Sequence, residues 1–83
     1  MEADDIVNLS KTIPAENLTP ATAIAILEAF KKKLKLRAKK DPDRMKGYQF
    51  QESGRIKPYG TNTFVNLNKN LENRIKTLEK KME

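Results

Sequence analysis

The side chains best equipped for chemistry fall in one stretch. Residues 31–57 carry eleven Lys and Arg against three Asp and Glu. The chain has no His and no Cys, so it offers no imidazole base and no thiolate nucleophile. It also lacks the nitrogen and sulfur donors of a closed zinc site. Ser10 and Ser53 could draw only on a Lys or a carboxylate as base. Gly47, Gly54 and Gly60 stand apart from one another, so no glycine-rich loop exists to cradle a phosphate. The sequence therefore predicts a protein that is not an enzyme, with no catalytic residues, no metal and no cofactor. What remains is binding.

Charge is sorted along the chain. Residues 1–30 hold one basic and five acidic side chains, whereas residues 58–83 hold five basic and three acidic. An acidic head and a basic waist point to a polyanionic partner more strongly than an even spread would. The candidate contacts are Lys31, Lys32, Lys33, Lys35, Arg37, Lys39, Lys40, Arg44, Lys46, Arg55 and Lys57, together with Tyr59. Cations near a helix C-terminus also complement its dipole and keep the surface hydrated. That role accounts for two or three of the lysines and leaves the rest to phosphate neutralisation. Among the side chains of this region, Phe50 suits a core, with Tyr48 able to join it, while Tyr59 and the basic pair Arg55 and Lys57 are freer to meet a ligand.

These residues need elements to position them. Ala3 to Lys11 could form a short helix with Asp4 and Asp5 in its favoured first turn, broken at Ile13-Pro14. Thr19-Pro20 reads as an N-cap followed by proline at the first helical position. From there Ala23, Ile26, Leu27, Phe30, Leu34 and Ala38 recur at helical spacing, predicting a long amphipathic basic helix over about 20–39. Asp41-Pro42-Asp43-Arg44 suggests one more helical turn, ending at Gly47. The period then changes to alternation, and Glu52-Ser53-Gly54 suits a hairpin loop between strands over about 48–59. Pro58 would place the second strand at an edge.

A final helix is expected over about 63–81, capped by Asn62 or Thr63. Phe64, Leu71 and Leu78 take d positions of a heptad, with Asn68, Ile75 and Met82 at a. A lone Asn at a is a device that fixes coiled-coil register. The fold class predicted is thus mainly α with one small β-hairpin. A single domain would comprise an acidic segment 1–19, a basic helix–hairpin unit 20–59 and an association helix 60–83. A chain of 83 residues buries only ~60–65% of its unfolded surface, so pairing through Phe64, Asn68, Leu71, Ile75, Leu78 and Met82 into a homodimer is the expected use of that last helix.

The functional reading that combines these parts is a small dimeric nucleic-acid-binding regulator, with DNA favoured, in which the hairpin stands beside the basic helix as a wing or ribbon. The competing reading is a protein-binding inhibitor or adaptor of viral or mobile-element origin, docking its basic waist on an acidic target. A structural helical oligomer is a third. No apolar run approaches the ~20 residues that span a bilayer, and the acidic opening stretch has the wrong charge for a leader. A cytoplasmic setting, or the cytoplasm or nucleus of a host cell, is expected, without membrane association. No motif of a known family emerges.

Overall fold

The computed structural model describes residues 2–83. Helix α1 runs Ala3–Thr12, α2 Pro20–Ala38 and α3 Phe64–Lys81, with a 3-10 turn at Ala15–Asn17. Strands β1 (Met45–Phe50) and β2 (Ile56–Asn62) pair antiparallel as the only sheet among the described residues. This is the small α+β architecture that the sequence predicts, mainly helical with one hairpin.

Local chemistry sets the boundaries. The Glu2 backbone N–H donates to Asp5 Oδ2 at 2.7 Å, satisfying an amide at the start of α1. Thr19 Oγ1 accepts from Thr22 N at 3.3 Å with Pro20 next in line. Thr63 Oγ1 accepts from Asn66 N at 3.2 Å. Both hydroxyls satisfy donors that a first helical turn leaves open. The expected helical turn before Gly47 does not form. Asp41–Arg44 is a turn instead, and β1 begins at Met45. Pairing with β2 is the reason: Met45 partners Asn62 and Lys46 partners Thr61, which carries both strands beyond the expected 48–59.

Two glycines make the hairpin possible. Gly54 has φ +95°, and its N–H donates to Gln51 O at 2.8 Å. A Cβ there would also lie 2.5 Å from Ala23 Cβ, because the loop rests on α2. Further along, Gly47 faces both Tyr59 and Gly60, a β-bulge on β2, since Lys46 pairs with Thr61 and Tyr48 with Pro58. A Cβ on Gly47 would sit 2.3 Å from the Tyr59 carbonyl oxygen. The burial alternation of β1 changes phase at this point, so Tyr48 and Phe50 face inward.

The core lies between α2, α3 and the inner face of the hairpin. Phe30 is fully buried and meets Tyr48 and Phe50 edge-on, at centroid distances of 4.9 and 5.9 Å. Such pairs add ~0.5–1.5 kcal/mol beyond the area they bury. Leu67, Leu71, Ile75 and Leu78 of α3 are buried in the same cluster as Leu27, Phe30 and Leu34 of α2. The heptad positions thus need correcting on one point. Leu71, Ile75 and Leu78 are covered by their own chain and are not open to a second one. Phe64 is half-buried against the cluster edge, Asn68 is half-buried on the same helix, and Met82 is exposed just past the end of α3. The physical reason is proximity: a tethered α2 offers an apolar face at far higher effective concentration than a separate molecule can. Among the described residues no helix is long and apolar enough to cross a membrane.

Candidate nucleic-acid interface

The structure divides the basic residues into two sets. Four of them are engaged within the fold. Lys31 Nζ lies 3.0 Å from Glu72 Oε1, joining α2 to α3 and holding the Glu72 carboxyl below its ordinary range. Arg55 Nη1 and Nη2 donate to the carbonyl oxygens of Ser10 and Ile13, each at 2.6 Å. These carbonyls lie at the C-terminal end of α1, where a cation is favoured. Arg37 Nη1 donates to Tyr48 Oη at 2.9 Å, and its Nη2 lies 3.7 Å from Asp4 Oδ2. Lys46 Nζ lies 3.4 Å from Asp4 Oδ1.

Asp4 is the hub of that last group. Tyr48 Oη donates to Asp4 Oδ1 at 2.7 Å. This hydrogen bond, aided by Lys46 and Arg37, lowers the Asp4 carboxyl despite an opposing desolvation. Burial, and then the Asp4 carboxylate, push the Tyr48 phenol up to about 12. Tyr48 is therefore a neutral donor over the whole working range of pH, held between an acid and a base. It closes α1 onto the hairpin and is not available to a ligand.

The second set is free. Lys32, Lys33, Lys35, Lys39, Lys40, Arg44 and Lys57 make no ion pair with an acidic side chain among the described residues. At ~100° per residue, Lys32, Lys35 and Lys39 fall on the side of α2 broadly opposite Phe30 and Leu34, and all three are exposed. Leu36, 54% exposed, lies within the same face. Lys33 is partly exposed on the flank, while Lys40 and Arg44 are exposed in the turn that leads to β1. No acidic residue occurs between Glu28 and Asp41.

The two halves of the expected surface do not come together. Phe30 packs on Tyr48 and Phe50, so the inner face of the hairpin covers the apolar side of α2. The lysine face of that helix therefore points away from the hairpin. Lys57 and Tyr59 are exposed on β2, apart from the lysines of α2. A wing standing beside a recognition helix is not the arrangement found.

A second feature lies beside β1 and was not anticipated. An open groove of about 610 Å³ runs between the hairpin and α3. Tyr59 and Asn62 form part of one wall, and Asn70, Asn73, Arg74 and Thr77 form the other. Arg74 Nε donates to Phe50 O at 3.1 Å, which anchors the side chain and leaves its two terminal nitrogens without a protein partner among the described residues. The signal was present in the sequence: Asn66, Asn70, Asn73 and Thr77 repeat at four, three and four, an uncharged polar stripe on a helix otherwise rich in charge.

No protein-family model, curated protein or solved structure matches this chain.

Proposed function

We propose that the protein binds nucleic acid, with duplex DNA as the first substrate to examine, through the solvent face of α2 and the turn that follows it. The observation that carries this reading is the sorting of charge. The acids at Asp4 and Glu72 neutralise basic residues that serve the fold, while Lys32, Lys33, Lys35, Lys39, Lys40 and Arg44 are left as a contiguous cationic run. A helix with cations on its exposed face and a regular ~1.5 Å rise per residue can place several ammonium groups along a phosphodiester backbone. The reading needs no second chain, since the apolar face of α3 is already covered.

The test is fluorescence anisotropy with a short labelled duplex across salt concentrations. About four phosphate contacts at ~0.9 released counterions each give a slope near −3.6, so a fourfold rise in salt weakens binding on the order of a hundredfold. Replacing Lys32, Lys35, Lys39 and Lys40 by Gln removes this binding and leaves the thermal midpoint in place. Absence of binding at about 50 mM salt, where phosphate contacts are strong, refutes the reading. So does retention of full affinity by the four-fold variant.

A further inference from the structure

We propose that the groove between the hairpin and α3 is a separate binding site for an unpaired nucleotide of a single strand. The site is distinct from the lysine face of α2, and it shares with the reading above only the class of ligand.

The inventory of the groove supports this assignment. Its volume of about 610 Å³ falls within the ~300–1,000 Å³ typical of small-ligand sites. Tyr59 is 71% exposed at its edge. A phenol that open, held on a bulged strand against Gly47, is a platform on which a base can stack. Asn70 and Asn73 each present a carboxamide, which both donates and accepts and so can match the mixed donor–acceptor edge of an unstacked base, while Asn62 Oδ1 already accepts from Thr63 N and Asn66 Nδ2 and leaves only its amide N–H for a ligand. The terminal nitrogens of Arg74 supply a fixed, planar anion site. Arg74 is the cation of the groove's lining. Among the described residues no Asp or Glu lines the groove.

Other occupants fit less well. A neutral sugar would leave the Arg74 cation covered and without an anion, which is costly. An extended peptide would add to the outer edge of β1, but Arg74 already occupies the Phe50 carbonyl there. A phosphate-linked nucleotide uses the aromatic, the amides and the Arg74 cation together.

The experiment compares the intact protein with three labelled probes of one length: a single strand, the same strand without bases, and the duplex. Tyr59→Ala is expected to weaken single-strand binding about 5- to 100-fold, the range of one base–aromatic stack, while duplex affinity holds. Asn70→Ala with Asn73→Ala, at exposed positions of α3 where alanine favours helix, is expected to erase differences among homopolymers of the four bases. Side-chain amide resonances of Asn70 and Asn73 should shift on adding the single strand and not on adding the abasic one. Equal binding of the single strand and the abasic strand overturns the proposal, as does a Tyr59→Ala protein with undiminished single-strand affinity. Saturation of the groove resonances by a neutral oligosaccharide or a peptide, with no response to the single strand, also overturns it. Failure of duplex binding alone sinks the lysine-face reading and leaves this one standing. Loss of the Tyr59 dependence alone does the reverse.

Discussion

Arg55 lies in the basic waist, yet its geometry makes it a structural residue, and the two roles predict opposite results. Replacement by Met keeps the aliphatic stem and removes both hydrogen bonds to Ser10 O and Ile13 O, each 2.6 Å long. A hydrogen bond from a charged donor contributes ~1.5–3 kcal/mol. The carbonyls lie in a partly buried region and regain some water, so the pair together is set at about 2–3 kcal/mol. For a domain of this size each kcal/mol moves the midpoint by ~4–8 °C, so Arg55→Met lowers Tm by about 10–20 °C. Thermal unfolding followed by far-UV circular dichroism measures this directly. Below the transition, the folded variant should bind the labelled duplex as the parent does. A midpoint shift equivalent to less than about 0.5 kcal/mol, the scale of an ordinary surface change, refutes the capping role. Loss of duplex affinity at full stability would return Arg55 to the binding surface.

Three further outcomes rest on other features of the fold. The Tyr48 phenol titrates at about 12 in the fold against an ordinary 10.0, so the folded state favours the protonated form; the stability this gives is intact below pH 10 and falls as pH rises towards 12. The loss approaches ~2 kcal/mol at ~1.36 kcal/mol per unit after allowance for screening, and Tyr48→Phe removes that alkaline slope in denaturant titrations run across the window. Gly54→Ala must take φ +95° with its Cβ 2.5 Å from Ala23 Cβ, which costs about 2–4 kcal/mol. Gly60→Ala, at φ +65° with nothing within 4 Å, costs only ~1–2 kcal/mol; equal midpoints for the two variants would show that the loop does not rest on α2. Among the described residues Asn68 Oδ1 is buried without a partner, while its Nδ2 makes only a long 3.3 Å hydrogen bond to the exposed side of Glu72, so Asn68→Leu trades a weak surface hydrogen bond for relief of the buried oxygen and raises stability by about 0.5 kcal/mol, and a lower urea midpoint would contradict that.

The helices were legible because their signals are local. Thr19-Pro20 and Thr63 mark their own N-termini, and the spacing of Ala23, Leu27, Phe30 and Leu34 needs no knowledge of what covers them. The hairpin loop was legible for the same reason, through Gly54. The partner of a stripe is another matter. A heptad states that one face of α3 is buried but not which chain buries it, and Leu67, outside the a and d set, is buried as completely as Leu71. That breadth suits packing inside a globule more than a two-helix seam. The basic waist was legible as composition, but its division was not. Arg37 and Lys46 meet Asp4, and Arg55 meets Ser10 and Ile13, only after the chain has folded back on itself. No spacing rule reaches across such separations. The groove was hidden similarly, since its walls come from β1, β2 and α3.

The fastening of α1 at both ends has a consequence for how the molecule assembles. Asp4 meets Tyr48 across 44 residues, and Ser10 meets Arg55 across 45. As a peptide of ten residues, α1 is too short to hold its shape alone in water. Its clasps do not exist until the hairpin has closed. On a ribosome, α1 would therefore wait, frayed and acidic, until the 44 and 45 residues that separate it from Tyr48 and Arg55 had followed. The α2–α3 pair and hairpin would set the pace, and α1, made before its clasps, would lock onto them last as the latch of the fold.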